Sequence, residues 1–297
     1  MSTTTRTPGT RQVEVPLRQQ RKIDWTQPFI YVVALIVLAI TLAPVIYVIL
    51  GGFRTNLQIT ENPAGLPDPW VMHNYADVLT SGRFWGQVLS SSIASLGTTA
   101  GVVILGVSAA FVIARYEFRG KQALYSLFVA GLLFPLTIAV LPLTVMLRDL
   151  GMFGHVSGLI VPQVAFALPI TVIILVPFLR AIPAELEEAA TIDGASKVGF
   201  FFRIMLPLAG PGLVTVGVLA FVASWNAYLL PLFVLGAGGA SVEDYTRPLG
   251  VQQFSTQYSA NTAGVLAFTS LAMIPALVFF LALQRRIVSG LQGAVKG

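Results

Sequence analysis

Six stretches of this 297-residue chain each run for about twenty residues or more without one Asp, Glu, Lys or Arg. They extend from Phe29 to Gly51, Val88 to Ala114, Ala123 to Leu147, Gly158 to Leu179, Leu208 to Val234 and Ala263 to Leu283. Crossing a bilayer takes about 20 mostly apolar residues in a helix, because hydrocarbon offers no partner to backbone polar groups. Only 10% of the residues are charged and 55% are hydrophobic, whereas a soluble domain carries about 25% charged residues to keep its surface wet. The predicted fold is therefore all-α, a polytopic membrane protein with six transmembrane helices. The predicted division is a disordered tail over 1–28, a transmembrane domain over 29–284 and a C-terminal tail over 285–297.

The distribution of positive charge sets the expected orientation. Arg6, Arg11, Arg18, Arg21 and Lys22 precede the first stretch; Arg115, Arg119, Lys121, Arg180, Lys197 and Arg203 follow on the same side, with Arg285, Arg286 and Lys296 at the end. The opposite side holds only Arg54, Arg83, Arg148 and Arg247. Lys and Arg concentrate in cytoplasmic loops, so both termini are expected in the cytoplasm. The net charge of +5 follows this topology and does not suggest a nucleic-acid partner.

Several chemistries find no support. The chain has no cysteine, which removes disulfides, thiolate nucleophiles and thiolate metal sites. His73 and His155 stand in no metal-ligand spacing, and no cofactor is expected. Gly154, His155, Val156, Ser157 and Gly158 do not follow the nucleophile-elbow order and read as a turn. No G-x-x-x-x-G-K-[ST] is present to cradle ATP phosphates, so an ATPase, if one drives the chain, must be a separate subunit. The spans carry no ionisable residue for a proton relay; sodium coupling through broken helices stays open.

Gly97 and Gly101 form a G-x-x-x-G in the second span, a pattern that lets helices approach closely. Nine prolines fall within the spans: Pro44, Pro135, Pro142, Pro162, Pro169, Pro177, Pro211, Pro231 and Pro275. They suit either bent helices lining a pathway or the ordinary tolerance of membrane helices for proline. In the fifth span Trp225, Asn226 and Tyr228 place an aromatic face, an amide and a phenol within one turn. Such a group suits sugar contact, and equally helix packing. Trp70, Tyr75, Trp85, Tyr245 and Tyr258, in the outer loops 52–87 and 235–262, fit an interfacial belt.

The loop 180–207 is the most informative. Pro183 suits a first helical position, Glu185, Glu187 and Glu188 suit the positive end of a helix dipole, and Gly194 suits a left-handed terminator. Ser196 can cap a second helix that carries Phe200, Phe201, Phe202, Ile204, Met205 and Leu206 back to the membrane. The expectation is helix, sharp turn, helix, a form suited to docking on another protein or to a plain solvated loop.

Glu188, Ala189, Ala190, Gly194, Ile204, Leu206 and Pro207 fit E-A-A, three residues, G, nine residues, I-x-L-P. This resembles the cytoplasmic signature of permeases in bacterial binding-protein-dependent ABC importers. Asn74-Tyr75, Trp225-Asn226 and the C-terminal Gln284-Arg285-Arg286-Ile287 with Gly290-Leu291 and Gly293-Ala294-Val295-Lys296-Gly297 resemble the carbohydrate branch, and within it the six-span subunit of the maltose-permease type. The resemblance covers nearly the whole chain beyond the first 25 or so residues. It implies a type I importer permease in a bacterial inner membrane, forming half of a translocation pathway for a sugar or oligosaccharide. The implied partners are a second permease subunit, two copies of a cytoplasmic ABC ATPase and an extracytoplasmic solute-binding protein. ATPase coupling would fall to Glu188, Ala189, Ala190, Asp193, Gly194, Ile204, Leu206 and Pro207, with the C-terminal tail reaching towards the ATPase. A homodimeric permease for another solute and an ion-coupled secondary transporter are the alternatives.

Overall fold

The computed structural model describes residues 26–254 and 261–295, and among them every regular element is helical. The chain divides into two units, Met1–Val45 and Ile46–Gly297. In the first, the described backbone is the start of helix α1 (Thr26–Gly51), within which Thr41 Oγ1 donates to the Val37 carbonyl at 2.8 Å. That bond satisfies a hydroxyl that lipid could not. The expected tail over 1–28 lies, up to residue 25, outside the described residues.

The second unit is a helical bundle. Short α2 (Asn56–Glu61) and α3 (His73–Thr80) precede α4 (Gly82–Arg115), which at 34 residues is about 50 Å long. Then come α5 (Lys121–Gly131), α6 (Leu136–Asp149) and α7 (Ser157–Arg180). The segment 180–208 holds α8 (Glu185–Ile192) and α9 (Lys197–Leu208), the latter with a π-helical turn over Phe201–Met205. Helix α10 (Gly210–Trp225) and the long α11 (Thr262–Val295) close the bundle.

Among the described residues four helices are long and apolar enough to cross a membrane, and two bent pairs complete a set of six if each counts as one span. The expected number therefore holds, but two of the spans differ in shape from the continuous helices expected. The third breaks between α5 and α6 with a 100° bend. Pro135 stands at that break in an extended conformation (φ −78°, ψ 132°) and has no N–H to continue the ladder. The fifth joins α9 and α10 across a 74° bend, and α10 stops at Trp225. Beyond a break at 226–228 a second helical piece runs over 229–236. Prolines thus divide by role. Pro135 and Pro211 mark bends, whereas Pro142, Pro162, Pro169, Pro177 and Pro275 lie inside continuous helices.

The bundle is centred on α4 and α7. A Cβ on Gly97 would come within 2.6 Å of Ile160, and one on Gly101 within 2.7 Å of Val164; Gly106 is in similar contact with Thr171. The expected close packing at the G-x-x-x-G is therefore made within the chain, glycine giving each large side chain of α7 its seat. Hydroxyls along α4 bond back to their own helix, Ser92 to Val88, Thr99 to Ser95 and Ser108 to Ile104, each at 2.7 Å.

Candidate functional site: the 180–208 elbow and the bundle cavity

At one end of the bundle the chain makes helix, turn and helix as the local sequence dictates. Helix α8 starts at Glu185, with Ala184 as its cap, so Pro183 stands just before the cap and not at the first helical position. Glu185, Glu187 and Glu188 occupy the first turn, where the unsatisfied N–H groups favour negative charge. Asp193 caps the other end, and Gly194 turns the chain at φ +79°, a conformation costly for any residue with a Cβ. Ser196 then accepts a hydrogen bond from the Gly199 N–H at 3.1 Å and starts α9.

The signature residues sort into two faces. Glu188, Ala189, Asp193, Gly194 and Pro207 are exposed. Ala190 is buried, and Ile204 and Leu206 pack against the same core, which also contains Phe111, Leu175, Leu179, Phe200 and Met205. One apolar cluster thereby joins α8 and α9 to the adjacent ends of α4 and α7. Arg115, the last residue of α4, donates to the Ile182 carbonyl at 2.7 Å, and Lys197 lies 4.7 Å from the centroid of the Tyr116 ring. Burial and then the charge of Glu187 push the Tyr116 phenol above its usual range. The exposed carboxylates are thus mounted on a wedge that is tied to the bundle at several points.

Further along the bundle lies a cavity of about 400 Å3, within the size range of small-molecule sites. Its wall is mostly apolar, with Phe166 and Leu230 among its members. Three polar side chains from three helices meet there: Thr98 of α4 donates to Gln163 Oε1 at 2.9 Å, and Ser224 of α10 donates to the same oxygen. The Nε2 of Gln163 has no partner among the described residues. Ala227, in the break after α10, also borders the cavity.

The three residues singled out in the fifth span sit around that break without lining the cavity. Trp225 is 1% exposed, stacked on Phe221 with ring centroids 5.6 Å apart. Asn226 Nδ2 bonds back to the Val222 carbonyl at 2.9 Å, and its Oδ1 accepts from Arg247 at 3.4 Å. Tyr228 accepts from Gln252 Nε2 at 2.7 Å. The trio is tied to the segment 245–254, which lies at the end of the bundle opposite the elbow. Arg247 itself is buried, and its backbone N–H donates to Ser91 Oγ at 2.7 Å.

Residues 102–293 match the family described as binding-protein-dependent transport system inner membrane component. The chain belongs to that family. The match runs from within α4 to within α11 and takes in the elbow and every lining residue of the cavity except Thr98. As an inner membrane component of such a system the chain is a multi-pass membrane protein and a transport component. Among relatives, a diacetylchitobiose uptake system permease protein, NgcG of Streptomyces coelicolor, is 34% identical over 84% of this chain and 82% of its own length. A trehalose transport system permease protein, SugB of Mycobacterium tuberculosis, is 35% identical over 88% of this chain and 95% of its own length. The fold matches a chain of a bacterial ABC transporter involved in import of the acidic polysaccharide alginate, with a TM-score of 0.72 and 20% identity over 91% of this chain and 99% of that one.

The type I importer permease fold expected from the sequence is the one found. Sequence reasoning missed the cavity's polar group. Gln163 carried a signal, being an amide inside a charge-free apolar stretch, but nothing local announces that Thr98 and Ser224 converge on it.

Proposed function

We propose that the chain is the permease subunit of a carbohydrate ABC importer and forms half of its translocation pathway. The observation that carries this reading is the wedge at 185–208, whose exposed carboxylates and turn are joined through Ala190, Phe200 and Met205 to α4 and α7. A partner that pulled on this wedge would move the bundle, because the wedge has an apolar core in common with it. The sugar cargo is supported by relatives whose names record diacetylchitobiose and trehalose.

In this reading the elbow is cytoplasmic, as the Lys and Arg distribution favours, and both termini lie on that side of a bacterial inner membrane. Two copies of a separate ABC ATPase dock at the cytoplasmic face, one of them on this chain's α8. Glu188, Ala189, Asp193, Gly194 and Pro207 offer the contact surface, while Ala190, Ile204 and Leu206 transmit the displacement inward. A second, non-identical permease subunit supplies the other half of the pathway, and a solute-binding protein delivers sugar to the opposite end. Alternating access follows when nucleotide-driven closure moves the wedge and the bundle exchanges one opening for the other.

The deciding experiment is a mild-detergent pull-down of the tagged chain from native membranes, with stoichiometry. Recovery of one other permease and two ATPase copies is expected. A chain that purifies alone and still drives ion-coupled uptake in liposomes would overturn the reading.

A further inference from the structure

The polar group on the cavity wall does not behave like ordinary packing glue. Several hydroxyls packed between these helices bond to their own backbone, Ser92 to Val88 and Thr99 to Ser95, and Thr171 of the same cavity donates to the Ala167 carbonyl at 2.8 Å. Thr98 and Ser224 do otherwise. Both aim at one oxygen of Gln163, across distances of 65 and 61 residues in sequence. The two bonds fill the acceptor side of the amide and hold it in one orientation. Its donor side, Nε2, is left buried with no acceptor among the described residues, an arrangement that a lone polar group makes only at a cost in stability. A bundle with no use for this amide would be more stable with leucine there. A fixed donor without an acceptor, next to an aromatic ring and an otherwise apolar wall, is how sites for uncharged, hydroxyl-rich ligands are built.

We propose that Thr98, Gln163 and Ser224 form a cargo-recognition site in the cavity, in which Gln163 Nε2 donates to a sugar hydroxyl and Phe166 offers the ring face against which the sugar's C–H groups rest. This rests on the carbohydrate-importer reading above and names where this subunit touches its cargo. It also relocates that contact. The aromatic and amide groups of Trp225 and Asn226 are engaged with Phe221, Val222 and Arg247, whereas the cavity is lined by the residues on either side of them, Ser224 and Ala227.

The chain's lack of cysteine gives a clean test. A single thiol is placed on the cavity wall as Ala227→Cys, with Ala223→Cys as a second reporter, and the full complex is purified with its partners into nanodiscs. A charged methanethiosulfonate reagent labels the thiol in the presence of ATP, ATP with vanadate, or no nucleotide, against a panel of sugars from monosaccharides to oligosaccharides that includes diacetylchitobiose and trehalose. The expected result is labelling in at least one nucleotide state, slowed by a panel sugar that the complex imports. Gln163→Met should raise the half-protecting concentration roughly 5- to 10-fold, the loss of one hydrogen bond, with the ATPase still co-purifying. Protection unchanged in Gln163→Met, or no protection by any panel sugar in an assembled, importing complex, would overturn the site and leave the importer reading standing. Failure of any ATPase to co-purify with the cysteine-free parent chain would instead overturn the importer reading.

Discussion

The guanidinium of Arg247 lies 5.4 Å from the centroid of the Trp225 ring, at the point where α10 ends. Its position explains how a buried cation is accommodated with no carboxylate paired to it among the described residues. The C-terminus of a helix carries a partial negative charge, the indole face attracts cations, and Asn226 Oδ1 accepts a further bond. These offset burial only in part: desolvation lowers the Arg247 pKa to about 10. A base whose folded pKa falls costs stability at neutral pH, and the cost is relieved only as pH rises above about 10 towards its unfolded value.

Arg247→Met should therefore leave the melting temperature of the purified chain unchanged or raise it, since apolar replacement of a buried charge is often neutral or stabilising by about 1–4 kcal/mol. Sugar uptake by the assembled complex should fall, because the segment 245–254 loses its hold on the end of α10. Thermal unfolding in detergent and uptake in proteoliposomes check the two halves separately. A drop of many degrees would mean that the cation is needed to hold the helix end.

Glu188→Ala should uncouple the complex. Glu188 is exposed on the first turn of α8, so its loss should cost the fold little, yet uptake should fall by an order of magnitude or more while ATP hydrolysis persists. Uptake and phosphate release measured on the same proteoliposomes decide it, and normal uptake sinks the coupling role.

Gly194→Ala acts on the same contact from the backbone. At φ +79° a Cβ costs about 1–2 kcal/mol, enough to loosen the turn without unfolding a bundle whose core it does not touch. Co-purified ATPase per permease should decline, and quantification on a gel reads it directly.

Gly101→Leu should destabilise the bundle by about 1–3 kcal/mol through overpacking, since even a methyl at this position would stand 2.7 Å from Val164. Val164→Ala in the same chain should restore part of the loss. Independent, additive effects in thermal unfolding would show that the two do not share one seat.

The elbow was legible in the sequence because its determinants are local. The acidic first turn, the glycine at 194 and the cap at Ser196 each act within four residues, and the structure uses all three. The number of spans was legible because hydrocarbon imposes length and composition. Their shape was not. Pro135 and Pro142 are equivalent in a hydropathy profile, yet one caps the start of α6 at a sharp bend and the other lies inside that helix, a difference set by packing that no window of sequence contains. Trp225, Asn226 and Tyr228 were chosen for their chemistry, but tertiary contacts to the segment 245–254 and to neighbouring helix turns engage them. The recognition group at Thr98, Gln163 and Ser224 is assembled from three helices, and only the misplaced amide gave a hint of it.

The glycine seats between α4 and α7 have a mechanical consequence. Three successive turns of one helix are filled by Ile160, Val164 and Thr171 of the other, so neither can slide along the other without lifting a side chain out of its notch. The two behave as a single mast. Tension applied at the wedge is then borne without stretching and must be relieved where the scaffold is already jointed, at the 100° bend before α6 and the 74° bend before α10. The first joint borders the cavity at Leu136, and the second sits at the base of α10, whose stretch from Val216 to Ser224 forms another part of the wall, so the chamber can change shape while its central post stays rigid.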